Sequence, residues 1–227
     1  PVFAGDLSPH LSDRALEREA AQIDMRRAAG SRAGEGKGDT VWLGAIDANG
    51  LAVSYIQSIF WEFGSGVTLP KTGILWQNRG ASFSLDPRAV NPLEPGRKPF
   101  HTLNPALARF EDGRVMVYGT MGGDGQPQTQ AAIFTRHARF GMELGAAIDA
   151  PRWLWGKTWG ADAAGLRVES RLDPDIVAAL ERAGHEVAVL PDAYADLMGH
   201  AGALVRRVDG RILGASDPRS DGAAVAA

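Results

Sequence analysis

Three pairs of apolar, strand-like runs, each joined by an Asn-Gly or Asp-Gly turn, are the feature that most constrains the fold of this chain. The runs and their turns are Val41–Ile46 and Leu51–Gln57 around Asn49-Gly50, Leu107–Thr120 around Asp112-Gly113, and Gly202–Val208 and Arg211–Ala215 around Asp209-Gly210. These turn residues tolerate positive φ and favour tight reversals. Each pair therefore predicts an antiparallel β-hairpin, and Thr72–Gln77 reads as a further strand.

Helical patterns lie mostly between the second and third hairpins. They cover Gln126–Phe140, Met142–Ala150 and Asp173–Ala183, and an earlier one covers Asp13–Ala29 with Asp13 as its cap and a thin stripe of Leu16, Ala20, Ile23 and Met25. The helix at Asp173 has a capping Asp, then Pro174 at its first position, and Gly184 closes it. Strand pairs come first, helices next and strands last, which predicts an α+β sandwich rather than alternating βαβ units.

Composition excludes several classes of function. The 227 residues carry a formal net charge of −3 without a basic block, which argues against nucleic acid as a partner. The absence of cysteine excludes disulfides, thiolate metal sites and thiol nucleophiles. No apolar run approaches the roughly 20 residues of a membrane helix, and the five histidines lack metal-site spacing. We therefore expect no cofactor and no metal. The compartment stays open, with the cytoplasm favoured over the periplasm.

The junction before the first hairpin contains a candidate nucleophile. Residues Gly30–Asp39 are rich in glycine and almost free of apolar side chains, so they read as disordered or cleavable. Thr40 follows directly. A Thr hydroxyl is a poor nucleophile unless a base lies beside it, and the α-amine of a chain-terminal Thr, with a pKa near 7.7–8.0, is such a base. Cleavage between Asp39 and Thr40 would create that amine. The alternative is that Thr40 is simply a strand-forming residue.

The segment Gly119–Gly125, GTMGGDG, also has two interpretations. It lacks the Lys-Ser/Thr ending and the glycine spacing of a phosphate loop. One interpretation is an ordinary strand-to-helix turn. The other is a pair of backbone N–H groups, at Gly122 and Gly123, that point into a cleft and hold an oxyanion.

Several long motifs resemble the γ-glutamyltranspeptidase family of N-terminal nucleophile hydrolases. They are TVWLGAIDANGLAVSYIQSIFWEFGSGVTLPKTGILWQNRG, GRKPFHTLNPAL, YGTMGGDGQPQTQ, DAPRW and GASDPRSDG. The resemblance implies an αββα sandwich of two stacked antiparallel sheets covered by helices. It also implies that residues 1–39 are the tail of a large subunit with its cleavable linker, and that residues 40–227 are the catalytic small subunit.

The resemblance assigns the reacting groups by motif position. It implies a self-processing precursor cut between Asp39 and Thr40, with Thr40 as nucleophile. The family has a second hydroxyl eighteen residues further on, which is Ser58 here. Its oxyanion pair matches Gly122 and Gly123. The large subunit of the same precursor and a small-molecule amide are the implied partners, and a dimer of such heterodimers is left open.

The substrate-binding positions depart from the usual family pattern. Phe60 replaces an Asn, Arg79 and Ser82 replace the Gln and Asp that hold the substrate α-amine, and His101-Thr102 replaces a Ser-Ser pair. Arg79 would repel an ammonium group but suits a carboxylate as a bidentate partner. The pattern is most similar to the oxamate amidohydrolase branch, which implies a small amide that carries a carboxylate.

Three alternatives remain open from the sequence. Arg79 could instead face solvent or pair with Glu62 or Asp86, which would remove the argument for a carboxylate. The chain could belong to a γ-glutamyltranspeptidase or glutathione hydrolase with an altered pocket. It could also be an uncleaved, non-catalytic relic.

Overall fold

The computed structural model describes residues 11–24, 26–27, 39–156 and 165–226, and all structural statements concern these ranges. In chain order the helices and strands are α1 (Asp13–Ala20), β1 (Asp39–Ile46), β2 (Ala52–Phe60), β3 (Ala106–Arg109), β4 (Val115–Thr120), α2 (Gln126–Phe134), α3 (Leu144–Asp149), β5 (Trp153–Trp155), β6 (Leu166–Val168), α4 (Pro174–Arg182), β7 (Val187–Val189), β8 (Ala201–Arg206) and β9 (Ile212–Ser216).

The three predicted hairpins are confirmed, and they build two antiparallel sheets. Strands β1 and β2 form one sheet, in which Thr40 pairs with Ser58 and Ile46 with Ala52. The other sheet has the order β3-β4-β8-β9, so the second and third hairpins lie side by side in it. β1 packs across β4 and β8, and β2 packs on β4. The result is the expected α+β sandwich of stacked sheets.

Trp42 of β1 fills the space between the two sheets and explains why glycines stand opposite it. A Cβ atom added to Gly119 of β4 would lie 2.1 Å from Trp42 Cδ1, and one added to Gly202 of β8 would lie 2.4 Å from Trp42 Cζ3. The indole N–H is satisfied because it donates to Ser54 Oγ at 2.9 Å. The flat ring therefore lies directly on the backbone of two neighbouring strands.

The other face of the four-stranded sheet packs on helices α2 and α3. Met116 and Val205 from the sheet form a buried cluster with Ile133, Leu144 and Ile148 from these helices. The outer face of the β1–β2 sheet has no such cover among the described residues. Val41, Leu43 and Tyr55 on that face are 55%, 47% and 46% exposed. The described residues thus form three layers, in the order sheet, sheet, helix.

A buried ionic network is formed by four charged residues, Arg152, Glu169, Asp217 and Arg219. Arg152 Nη2 lies 2.6 Å from Asp217 Oδ2, Arg219 Nη1 lies 3.0 Å from Asp217 Oδ1, and Arg219 Nη2 lies 2.5 Å from Glu169 Oε2. Burial lowers the pKa of Arg152 to about 10, although the neighbouring Asp217 opposes this. Arg152 Nη1 also donates to the carbonyl oxygen of Gly199 at 2.9 Å. The network therefore connects the segments after α3, β6 and β9 to the turn that precedes β8.

Some sequence-based expectations about the elements are wrong. Thr72–Gln77 is not a strand, because only Leu75 makes a ladder contact, an isolated bridge to Thr68. Strands β5, β6 and β7 form a small mixed sheet that was not expected.

The first helix also differs from its prediction. Its cap is Ser12 instead of Asp13, and it ends at Ala20. Leu16 and Ile23 of its expected stripe are exposed. Met25 and residues 30–38 of the glycine-rich linker lie outside the described residues. No helix in the described ranges is long and apolar enough to cross a bilayer.

Candidate active site

Side chains along β1 point alternately to its two faces, and this determines which of them enter the space between the sheets. Val41 and Leu43 are exposed, whereas Trp42 faces β4 and β8. Successive side chains of a strand point to opposite faces. Thr40, two residues before Trp42, therefore points into the same space, at the open end of the sandwich.

The sheets are aligned so that Thr40 lies level with the ends of β4 and β8. Gly44 lies against Val117, and two residues earlier Trp42 lies against Gly119 and Gly202. Moving two more residues along each strand, back along β1, forward along β4 and back past the start of β8, leads to Thr40, Met121 and His200. The ladder extends that far, since Met121 N–H donates to the His200 carbonyl oxygen at 3.2 Å. We call Thr40, Ser58, Met121 and His200 the Thr40 layer.

Thr40 and Ser58 face each other within this layer. The Thr40 hydroxyl donates a hydrogen bond to Ser58 Oγ at 2.8 Å. The backbone N–H of Phe60 also donates to Ser58 Oγ, at 3.0 Å. A hydroxyl oxygen that accepts an amide N–H is better able to donate its own hydrogen. Once Thr40 loses its proton, Ser58 can therefore turn its own hydrogen toward Thr40 Oγ1 and stabilise negative charge there.

Phe60 ends β2 in a backbone conformation that is unusual for a bulky residue. Its φ angle is +82°, a region that costs non-glycine residues of order 1–3 kcal/mol. Its ring lies 5.1 Å from the Arg79 guanidinium carbon and stacks on Trp61 with a centroid separation of 5.7 Å. Phe60 thus contacts Ser58 through its backbone amide and Arg79 through its ring.

Arg79 is buried and lacks an anionic partner among the described residues. It is only 5% exposed, and Asp86, one of its alternative partners, pairs with Arg88 instead. Its Nη1 donates to Thr102 Oγ1 at 3.2 Å, whereas its buried Nη2 has no hydrogen-bond partner in the described structure. Burial lowers the pKa of Arg79. The alternative that Arg79 faces solvent is therefore wrong, and a desolvated cation with a free donor is present instead.

His101 and Ser82 flank Arg79 in different ways. Partial burial, and then the nearby charge of Arg79, lower the pKa of His101. His101 Nδ1 accepts from the Leu103 N–H at 3.3 Å, which leaves Nε2 as the nitrogen with the proton. Ser82 Oγ donates to the Arg79 carbonyl oxygen at 2.8 Å, so its hydrogen is used inside the turn that carries Arg79.

The Gly122–Gly123 turn continues directly from the Thr40 layer. Both residues adopt positive φ angles, +128° and +53°, which favour glycine. No acceptor for either amide is found among the described residues. Gly199 packs closely behind, since a Cβ on Gly122 would lie 3.3 Å from its Cα atom. Two free amides therefore follow Met121 at the start of the turn that leads into α2.

No role for His200 follows from the sequence, although this residue belongs to the Thr40 layer. Its Nε2 is hydrogen-bonded to the Asp196 carboxylate across one turn, and its side chain is 30% exposed. The only sequence signal was the Asp-x-x-x-His spacing, which is too common to indicate a site. No three His, Asp or Glu side chains lie close enough together to hold a metal ion in the described ranges.

Comparisons with known proteins find matches over most of this chain. A family model described as gamma-glutamyltranspeptidase matches residues 3–227. An oxamate amidohydrolase proenzyme of Klebsiella pneumoniae is 57% identical over 96% of this chain and 41% of that protein. A glutathione hydrolase-like proenzyme of Bacillus subtilis, YwrD, is 46% identical over 99% of this chain and 43% of that protein.

Solved structures show the same fold. A cephalosporin acylase from Bacillus halodurans superposes with a TM-score of 0.76 and 31% identity, over 97% of this chain and 39% of that one. The chain thus spans about two fifths of the length of the relatives it matches.

Proposed function

This chain belongs to the gamma-glutamyltranspeptidase family, and from that premise we propose that it carries the Thr40 nucleophile of a self-processing amidohydrolase. The proposed substrate is a small amide with a carboxylate next to the scissile carbonyl, such as oxamate. Residues 40–227 are the catalytic small subunit, and residues 1–39 are the tail of the large subunit. The exposed apolar outer face of β1 and β2 supports a partner subunit packed there.

The proposed cleavage coincides with an irregularity in the β1–β2 ladder. Thr40 pairs with Ser58 but Asp39 pairs with Phe60, so the register shifts at the bond between Asp39 and Thr40. Cutting this bond gives Thr40 a free α-amine beside its own hydroxyl. The amine then takes the hydroxyl proton as Thr40 Oγ1 attacks the amide carbonyl carbon.

The proposed oxyanion donors are the free amides of Gly122 and Gly123. They follow the Thr40 layer at the end of β4, close to where a carbonyl bonded to Thr40 Oγ1 would lie. Fixed backbone donors stabilise the developing negative charge without reorganisation, and losing one costs about 10²–10³ in rate in comparable sites. The protonated α-amine then gives its proton to the leaving nitrogen, and an acyl ester remains on Thr40.

The buried, half-satisfied guanidinium of Arg79 is the observation that carries the choice of substrate. A buried cation without an anion is costly, so the site is built for an anion that arrives with the substrate. Phe60 touches Ser58 through its amide and Arg79 through its ring, so only one residue separates the nucleophile pair from the cation. That short span fits a carboxylate adjacent to the amide better than the longer γ-glutamyl chain.

Replacing Arg79 by Gln in the full-length protein tests this proposal. We expect kcat/KM for oxamate to fall roughly 10- to 150-fold, because a charge-assisted contact worth roughly 1.5–3 kcal/mol is lost. Ammonia release from oxamate and aniline release from a γ-glutamyl anilide should be measured in parallel. Activity on the anilide, where present, should fall much less.

Arg88→Gln is the matched control, since Arg88 is exposed and paired with Asp86. It should leave both activities unchanged. Equal losses on both substrates in Arg79→Gln would instead mean that Arg79 supports the fold, and the glutathione hydrolase alternative would then lead.

A further inference from the structure

Asn78, the residue before Arg79, is the point at which the chain returns to the end of β2. The chain leaves β2 at Trp61, runs through an irregular loop and comes back seventeen residues later. There the Asn78 Oδ1 atom accepts the backbone N–H of Trp61 at 3.0 Å, and the backbone N–H of Asn78 donates to the Ile59 carbonyl oxygen at 3.2 Å. Asn78 therefore holds both residues that flank Phe60.

The side chain of Asn78 takes the place of a backbone carbonyl in this contact. A strand residue normally uses its own N–H and carbonyl oxygen toward the neighbouring strand. The carbonyl oxygen of Asn78 instead accepts the N–H of Ala81 at 3.0 Å and so begins the short 3₁₀ helix Arg79–Ser82. Because Oδ1 replaces that carbonyl, Asn78 can bind the end of β2 and start the turn that carries Arg79. An apolar side chain at this position could not do both.

A continuous series of bonds thus joins the candidate nucleophile to the buried cation. The Thr40 hydroxyl donates to Ser58 Oγ, which also accepts the N–H of Phe60. The φ angle of Phe60, +82°, is a costly conformation that persists only when the surroundings hold it. Asn78 supplies that hold on both sides of Phe60, and a single peptide bond connects Asn78 to Arg79.

We propose that Asn78 is a positioning residue that sets the spacing between the Thr40 hydroxyl and the Arg79 guanidinium; this inference rests on the proposed function of both residues. The spacing restricts the substrate to amides whose carboxylate is bonded directly to the scissile carbonyl carbon. Asn78 acts on the substrate through Arg79. Misplacing a binding group by about 1 Å can lower a rate about 10²-fold, so loosening this connection has a measurable kinetic consequence.

Substrates of two lengths test the proposal in the matured full-length enzyme. Ammonia release from oxamate is compared with release from malonamate, which has one more methylene between its amide and its carboxylate. In Asn78→Ala we expect kcat/KM for oxamate to fall about 10- to 100-fold, because Arg79 is no longer held at the short spacing. Malonamate should lose much less, so the preference for oxamate should narrow by about tenfold. A general loss of active enzyme would leave this preference unchanged.

Three further variants separate positioning from a structural effect. Asn78→Asp keeps an oxygen for the Trp61 N–H and should restore most of the preference. Adding Asn78→Ala to Arg79→Gln should cost little more on oxamate, since residues that act through one another are not additive. Ser65→Ala is the matched control: Ser65 Oγ donates to the Trp76 carbonyl oxygen at 2.9 Å within the same loop, and its loss should keep the wild-type preference.

An unchanged preference in Asn78→Ala, or equal losses on the two amides, would overturn the role of Asn78. If Asn78→Ala does not mature, Asn78→Ser shortens the same side chain and is judged by the same preference. A matured wild-type enzyme that hydrolyses neither amide would instead overturn the proposed function itself, and this inference with it.

Discussion

At the scale of single residues, the contact between Thr40 and Ser58 makes a direct prediction about maturation. Thr40→Ala should leave the full-length precursor uncut, because the methyl side chain cannot attack the preceding peptide carbonyl. Thr40→Ser keeps the hydroxyl and should still be cut, more slowly. Intact-mass measurement and N-terminal sequencing after purification would show the result.

The outcome that contradicts this prediction is equally specific. A small subunit that begins at another residue, or a cut Thr40→Ala precursor, would remove Thr40 from the mechanism. An intact wild-type chain without activity would favour the non-catalytic relic that the sequence left open.

Residue types and spacing can indicate candidate site residues, but they do not predict how deeply those side chains are buried or which hydrogen bonds they make. Arg79 could be singled out because a cation stands where the family has a Gln that helps to bind the substrate α-amine. Its burial and its free Nη2 could not be foreseen, because they depend on Phe60 and Thr102 closing around it from distant segments. The roles of Phe60, Ser82 and His101 in substrate binding stay predictions.

At the scale of elements, the stacking of Trp42 on two glycines makes a prediction about stability. Gly119→Ala would place a methyl group 2.1 Å from the Trp42 ring. Overpacking of this kind typically costs about 1–3 kcal/mol. Urea unfolding of the full-length protein should therefore show a lower free energy of unfolding.

A compensating substitution checks the cause. Trp42→Leu combined with Gly119→Ala should lose less stability than the sum of the two single variants, since the smaller side chain makes room for the methyl group. Additive losses would mean that the strain lies elsewhere.

Elements were predictable where a local signal was strong. The hairpins carried their own turn residues, and α4 carried an Asp cap, a Pro and a closing Gly. Thr72–Gln77 had the apolar composition of a strand, yet the turns around Gly64 and Gly73 bend its segment into a loop. Strands β5 to β7 are three residues each, too short for alternation to be recognised.

At the scale of the whole molecule, the buried ionic network predicts where the fold is most sensitive to loss of charge. Asp217→Asn would leave Arg152 and Arg219 without one of their counter-charges in a fully buried place. Breaking a buried pair in this way typically costs about 3–5 kcal/mol. The thermal midpoint of the full-length protein should fall strongly.

Asp209→Asn is the matched comparison, because Asp209 pairs with Arg211 on the surface. Solvent screens such pairs, so the midpoint should hardly change. Similar shifts in both variants would show that the network adds nothing beyond an ordinary surface pair.

His200 shows why part of the surroundings of Thr40 could not be predicted from the sequence. It lies 75 residues after the end of the Gly119–Gly125 segment, and it reaches the end of β4 only because β8, which begins at the next residue, pairs with β4. Periodicity predicts strands, but it does not say which strands become neighbours. Residues that one hairpin brings together, such as Thr40 and Ser58, could be recognised from the sequence, whereas a residue next to a distant strand could not.

The backbone pairing of Asp39 with Phe60 has a consequence for substrate binding in the uncut chain. Phe60 also contacts Arg79 through its ring, so the backbone of Asp39, the residue before Thr40, lies next to a wall of the proposed substrate site. We therefore expect the uncut chain to be inactive for two reasons, because it lacks the Thr40 α-amine and because its own backbone blocks access to the proposed substrate site. Calorimetry on the uncut Thr40→Ala protein should detect no oxamate binding, whereas binding as tight as in the mature enzyme would show that the strand leaves the pocket open.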